Sequence, residues 1–398
     1  MPGFELFGDL ERKEVNEVLD TGVLMRYGFD AMRKDRWKAR EMEAALADRM
    51  QTEHAQLVSS GTAALTIALA SAGVGAGDEV IMPCFTFVAS FESILALGAI
   101  PVLVDIDDTL TLDPDAVEKA ITPNTKVIMP VHMCGSMADL NALRMICDKH
   151  GLLLLEDACQ AIGGSYKGKP LGSIGDLGCF SFDYVKTITC GEGGAIITNN
   201  PEYKKNADHY SDHGHDHIGK DRGAETHPFL GYNFRISELN AAVGLAQLAR
   251  LDEFLAIQKR NYTKIREAIT DIPGVTFRRV PEGGEENYSF LSFFLEDFET
   301  AKAVQKALDE SGVDGCMHWL DNNWHYIKKW EHLKNKTSLG KLPQEVIEKL
   351  PDYHQADFSA SDHWMGRTLS LLIKIGWSEE ELQSRAEKIR AVVQGVMA

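Results

Sequence analysis

The sequence predicts an α/β protein, with a mostly parallel sheet in a large domain and a small α+β C-terminal domain. Short apolar runs alternate with helix-like stretches from about residue 55 to about residue 250, the pattern of a sheet covered on both faces by helices. The runs are almost continuously apolar, as in strands buried on both faces. At 398 residues, the chain also exceeds the usual limit of a single hydrophobic core. Residues 1–40 form an N-terminal segment, 41–260 the large domain and 261–398 the small one.

In chain order, Asp9 to Asp20 reads as a charged helix that packs against the small domain or a partner. The predicted strands are Glu79 to Met82, Pro101 to Asp105, Val127 to Val131, Leu152 to Glu156, Gly178 to Phe182 and Ala195 to Thr198. Asp105, His132 and Asp157 each sit directly at the end of such a run. Ligands of an open parallel sheet lie beyond the carboxyl ends of its strands, so chemistry is expected there. From Leu239, the residues Val243, Ala246, Ala249 and Leu251 fall close to helical spacing and predict a long amphipathic connector. Beyond Pro273, Ser289 to Leu295 reads as strand, and Thr300 to Ser311 and Glu379 to Val396 as helices.

Composition excludes several classes of function. A formal net charge of −18 repels nucleic-acid backbones and anionic membranes. Hydrophobic content of 44% and charged content of 25% are ordinary for a globular protein, and no stretch is apolar for long enough to span a bilayer. The start Met1-Pro2-Gly3-Phe4-Glu5 lacks the basic and apolar regions of a secretory signal, so the expected location is cytoplasmic. Seven scattered cysteines without a CxxC pair read as reduced core thiols.

Chemistry concentrates in four places. Ser59-Ser60-Gly61-Thr62 caps an Ala- and Leu-rich helix, and a helix N-terminus with a glycine beside it can receive a phosphate, although a plain cap is the commoner outcome. Lys186 lies between the strand-like run ending at Phe182 and the glycine cluster Gly191-Glu192-Gly193-Gly194. A partly desolvated lysine amine can attack an aldehyde, which is how a protein carries pyridoxal phosphate as a Schiff base. Asp157 could pair with a protonated pyridine nitrogen, and Gln160 could hydrogen-bond the phenolic oxygen of the same ring. Phe87 could stack on a flat cofactor, against a core aromatic as the alternative, and Ser181 could donate to the phosphate of the same cofactor.

Together, Ser60-Gly61-Thr62, Glu156 to Gln160, Phe180 to Lys186, Gly191 to Gly194 and Gly231-Tyr232-Asn233-Phe234-Arg235 resemble the DegT/DnrJ/EryC1/StrS family of sugar aminotransferases over roughly residues 40 to 260. The resemblance implies the aspartate aminotransferase-like fold type I, pyridoxal 5'-phosphate as cofactor and glutamate as amino donor. It implies that Lys186 is the Schiff-base lysine and moves the proton. Asp157 would pair with the ring nitrogen, Gln160 with the ring oxygen, and Phe87 would stack. Gly61, Thr62 and Ser181 match phosphate-binding positions. Asn233 matches a residue that reaches the phosphate of the neighbouring subunit, so the resemblance implies a homodimer with shared sites.

Gln160 stands where many members have histidine. The dehydratase branch replaces the Schiff-base lysine itself by histidine, so Lys186 argues for amino transfer. The run Thr368 to Leu372 lacks the Ser-Leu-Pro signature, and Trp319 to Trp330 is unusually aromatic. Arg26, Tyr27 and Arg235 are candidates to hold a substrate anion, and Glu192 a further candidate for substrate contact. His209, His213, His215 and His217 read as a solvated or substrate-facing loop rather than a metal cage. Phe4 to Gly8 and Gly22 to Gly28 most resemble the branch that aminates 8-oxo-3-deoxy-manno-octulosonate for lipopolysaccharide. The rival readings are a lyase or dehydratase acting on a nucleotide-linked sugar, and a regulatory module of the same fold.

Overall fold

The computed structural model describes residues 3–219 and 222–398, so Met1 and Pro2 of the predicted N-terminal segment lie outside the described residues. Strands β1 (His54–Val58), β2 (Glu79–Pro83), β3 (Ile100–Val104), β4 (Thr125–Ile128), β5 (Leu153–Asp157), β6 (Leu177–Ser181) and β7 (Gly194–Thr198) form one sheet in the order β1-β7-β6-β5-β4-β2-β3. The pairs β2–β3, β2–β4, β4–β5 and β5–β6 are parallel, and β7 runs antiparallel to both of its neighbours. Six of these strands are the apolar runs of the sequence. The seventh, β1, escaped that pattern because His54 and Gln56 interrupt it. Gln56 is nevertheless buried, and its amide oxygen accepts a hydrogen bond from the Lys204 ammonium.

Helices α1 (Asp9–Leu19), α2 (Lys38–Arg49) and α3 (Gly61–Ser71) precede or follow β1 in the chain. The sequence of α3 is apolar around its circumference, and the helix is buried on nearly every face, as such a helix must be. It packs against β6 and β7 below and against the helices Ala89–Leu95 and Pro201–Tyr210 beside it. This burial fixes the position of its N-terminus. The predicted connector is two helices, α4 (Glu238–Ala249) and α5 (Leu251–Ile269), because Arg250 leaves helical geometry at φ −103° and ψ 4°. Helix α1 packs on α4, while Glu5 ahead of it accepts hydrogen bonds from the N–H groups of Ile375 (2.9 Å) and Gly376 (2.8 Å).

A second sheet contains β8 (Thr276–Phe277), β9 (Phe290–Phe294), β10 (Cys316–Met317) and β11 (Thr368–Leu372), in the antiparallel order β8-β9-β11-β10. Helices α6 (Phe298–Glu310) and α7 (Glu379–Met397) pack on one another, with α5 against α7, over a core that includes Leu291, Phe293, Leu371 and Val393. The run that departs from the family signature, Thr368 to Leu372, is thus a central strand of this sheet.

One buried cluster holds the sheet's carboxyl edge in shape. The Glu156 carboxylate accepts the N–H groups of Gly172 (2.8 Å), Ile174 (2.7 Å) and Gly175 (2.6 Å), and it meets His132 Nε2 at 2.9 Å with both side chains fully buried. Removing a buried acceptor strands all of its donors. Glu156→Ala is therefore expected to lower unfolding free energy by about 3–5 kcal/mol, measurable as a shift of the urea midpoint. A loss below about 1 kcal/mol would mean that water satisfies these donors instead.

Candidate active site

The carboxyl ends of β2, β4, β5 and β6 and the N-terminus of α3 converge on a cavity of about 720 Å³. Ser60, Gly61, Thr62, Phe87, Asp157, Gln160, Ser181, Lys186 and Glu192 all line it. Of the three strand-end residues singled out by sequence, only Asp157 does so. Asp105 instead accepts the backbone N–H of Ser361 at 2.9 Å, and His132 is spent on Glu156.

Helix geometry leaves the first N–H groups of α3 without intrahelical partners, and the Ser60 hydroxyl takes that of Ala63 at 3.0 Å. A Cβ on Gly61 would lie 2.7 Å from Ser181 Cβ and 3.2 Å from Cys159 Sγ, so a side chain there would force the helix start away from β6. Glycine therefore keeps the backbone donors close to the cavity. The aspartate is held from both sides: Asp157 Oδ2 accepts from Ser90 Oγ at 2.9 Å and Oδ1 from the N–H of Cys159 at 3.2 Å. Gln160 Oε1 accepts the N–H of Cys134 at 3.0 Å. Lys186 is half-buried on a turn closed by its own N–H to Asp183 (3.0 Å), and its carbonyl accepts the N–H of Gly3 at 3.0 Å.

Several wall residues had no local signal in the sequence. His325 stands over Trp319 (ring centroids 4.7 Å apart) and Phe87 (5.4 Å), and its Nδ1 is 2.8 Å from Asn322 Oδ1. Burial, and then the charge of Lys186, push its imidazole down to about 3, so it stands neutral beside the lysine. Phe4, Glu5, Ser90, Asn322 and Lys374 also reach the cavity from distant parts of the chain. The aromatic density of Trp319 to Trp330 was the visible hint. Cys159 lies on the wall too, its thiol pushed well up by burial and by Asp157, which leaves it a poor nucleophile. All seven cysteines are free; Cys159 and Cys316 are only partly buried, so they are not the core thiols expected.

The anion-holding candidates lie elsewhere in this chain. Arg26 is buried and ion-paired with Glu43 at 2.5 Å, and Tyr27 donates to Asp208 at 2.8 Å. Arg235 bonds Asp212, and Asn233 is exposed outside the cavity, paired with Asp212 through a backbone bridge. These charges are already partnered. The histidine loop is part of the same network: His217 donates to Asp208 through Nδ1 (2.7 Å) and to Asp212 through Nε2 (2.9 Å). Among the described residues, no three His, Cys, Asp or Glu side chains assemble as a metal-holding group.

Burial opposes the charge on His217, but its hydrogen bonds to Asp208 and Asp212 outweigh it and raise its pKa from the ordinary 6.5 to about 9. A raised histidine contributes stability that is complete below its unfolded pKa and lost as pH climbs through the folded one. Wild type should therefore melt above His217→Gln at about pH 6, and the gap should close across the interval up to about pH 9. A gap that does not change with pH would show that the two carboxylates do not hold an imidazolium.

The model of the DegT/DnrJ/EryC1/StrS aminotransferase family matches residues 7–390, well beyond the stretch that carries the motifs. The chain belongs to this family. It is 40% identical over 320 residues to the 3-amino-5-hydroxybenzoate synthase of Amycolatopsis mediterranei, covering 78% of this chain and 79% of that one. It is 34% identical over 341 residues to the GDP-perosamine synthase of Vibrio cholerae, covering 82% and 86% of the two chains. A putative sugar aminotransferase of Streptococcus pneumoniae, solved in its PMP form, superposes with a TM-score of 0.80 at 26% identity, over 98% of this chain and 96% of that one. This DegT/DnrJ/EryC1/StrS member is accordingly a pyridoxal-phosphate-dependent transaminase of fold type I. Its cavity fits the cofactor: it pairs a helix N-terminus packed too closely to admit a Cβ with a buried carboxylate and a half-buried lysine. No helix among the described residues is long and apolar enough to cross a membrane.

Proposed function

We propose that this enzyme moves an amino group from glutamate to a sugar carbonyl, and that the acceptor is 8-oxo-3-deoxy-manno-octulosonate, a precursor of lipopolysaccharide. The convergence of Lys186, Asp157 and the α3 N-terminus on one cavity carries the catalytic part of the reading. The charge of the walls carries the acceptor part. Glu5, Asp157, Asp183 and Glu192 face Lys186 and Lys374, with neutral His325 beside them. Such a cavity suits a single carboxylate better than the diphosphate of a nucleotide-linked sugar. Lys374 differs from Arg26 in lining the cavity, and its ammonium, shared with Asp314 at 2.5 Å, is the cation there that would meet the acceptor's carboxylate.

When bound, pyridoxal phosphate supplies a ring that stabilises a carbanion at the donor's α-carbon and stores the amino group between the two half-reactions. The protein's groups do the rest. Ser60, Gly61, Thr62 and Ser181 would anchor the phosphate at the helix start. Asp157 would accept the ring N–H, Gln160 would address the ring oxygen, and Phe87 would cover one face. Lys186 would be the amine that holds the cofactor, and once free its Nζ would take the proton from the donor's α-carbon and return it on the cofactor side. The acceptor half-reaction uses the same lysine in reverse. We place the enzyme in the cytoplasm as a homodimer, with Asn233 reaching into the neighbouring subunit's site.

The test is a two-stage absorbance experiment on the purified holoenzyme. Glutamate is expected to bleach the visible band, and 8-oxo-3-deoxy-manno-octulosonate to restore it. Restoration by a nucleotide-linked keto-sugar alone would overturn the acceptor. Bleaching by another amine but not by glutamate would overturn the donor.

A further inference from the structure

We infer that Ser90, backed by Thr86, is a positioning residue that sets the orientation of Asp157 toward the cofactor ring nitrogen; this rests on the role proposed for Asp157. Ser90 and Thr86 are almost completely buried, and Ser90 Oγ lies 2.9 Å from Asp157 Oδ2 and 2.6 Å from Thr86 Oγ1. The proton directions follow from the chemistry of the groups. A carboxylate can only accept, so the single Ser90 proton goes to Asp157. The short contact to Thr86 then requires Thr86 to donate to Ser90. The result is a polarised chain, Thr86 to Ser90 to Asp157, ending on one carboxylate oxygen while the N–H of Cys159 occupies the other. Two donors on different oxygens define the plane of the carboxylate, leaving a lone pair to meet the ring N–H.

The scaffold of this chain is also specified. Ser90 lies in the first turn of the helix Ala89–Leu95, and its carbonyl accepts from Ser93 Oγ at 2.9 Å. The loop before it is bonded to the aromatic C-terminal segment: the N–H of Thr86 donates to the carbonyl of His325 (2.9 Å), and that of Val88 to the carbonyl of Trp324 (2.9 Å). Phe87 lies between these two bonds. One loop therefore controls both the ring face, through Phe87, and the ring nitrogen, through Ser90 and Asp157.

The experiment compares holoenzyme reconstituted with pyridoxal phosphate labelled with ¹⁵N in the ring, for wild type, Ser90→Ala, Ser90→Thr, Thr86→Val and Asp157→Asn. Ser90→Ala is expected to shift the ring-nitrogen resonance toward its unprotonated position and to slow the glutamate half-reaction about tenfold, the effect of losing one hydrogen bond to a charged group. Ser90→Thr should restore both readouts, and Thr86→Val should shift them less, in the same direction. If Asp157→Asn moves the resonance while Ser90→Ala lowers only the melting temperature, the inference is overturned and the Asp157 assignment stands. If Asp157→Asn leaves the resonance in place, it is the assignment of Asp157 that fails.

Discussion

Lys186→Ala is expected to leave a folded protein that binds pyridoxal phosphate without a covalent bond and transaminates at least about 10²–10⁴-fold more slowly, the range that positioned proton transfer contributes. The backbone around the lysine is held by the N–H of Lys186 to Asp183 and by Gly3 to the Lys186 carbonyl, and alanine keeps both bonds. The half-buried ammonium is not a core packing group, so stability should fall little. Activity and covalency should both be lost if, as proposed, one amine both anchors the cofactor and moves the proton. Borohydride reduction of the wild type followed by peptide mass analysis should place the adduct on the peptide containing Lys186, and on no peptide of the variant. An adduct elsewhere, or glutamate-driven bleaching at the wild-type rate in the variant, would remove Lys186 from the mechanism.

The parts of the site that were legible in sequence are those whose chemistry is local. Ser60-Gly61-Thr62 declares itself because cap, glycine and helix are contiguous, and Asp157 because it ends an apolar run. Strand-end position alone was a poor guide: His132 and Asp105 share it, yet both point their hydrogen bonds into structural partners. Arg26 misled for the opposite reason. An arginine in a loop near the N-terminus promises a free charge, but Glu43, in the second turn of α2, neutralises it. His325, Lys374 and Ser90 are brought to the cavity by pairings across 60 residues or more, which no local pattern encodes. The fold was easier to read because buried parallel strands must be apolar. The exception, β1, is a strand whose polar Gln56 is satisfied by a lysine far along the chain.

A mixture of two inactive variants, Lys186→Ala and Asn233→Asp, is expected to recover about one quarter of wild-type activity after subunit exchange, if the proposed dimer shares its sites. Asn233 lies outside the cavity that holds Lys186 in its own chain, on an exposed segment, with its side chain accepting the N–H of Arg235 at 3.4 Å. Around it, Ile218 (74% exposed), Leu230 (90%) and Tyr232 (58%) present apolar surface. A second subunit covering this face would carry Asn233 to the partner's cofactor phosphate. There, a carboxylate at position 233 would repel the phosphate and expel the cofactor from that site. Each homodimer of a single variant then has two defective sites. At equal mixing, about half of the dimers are hybrids. In each hybrid one site combines both defects, and the other combines an intact Lys186 with an intact Asn233. The readout is the glutamate half-reaction amplitude per mole of chain, which counts competent sites independently of the acceptor. Recovery that tracks exchange time would support a composite site. A mixture that stays at the sum of its two components, with exchange confirmed by native mass spectrometry, would assign Asn233 to its own subunit.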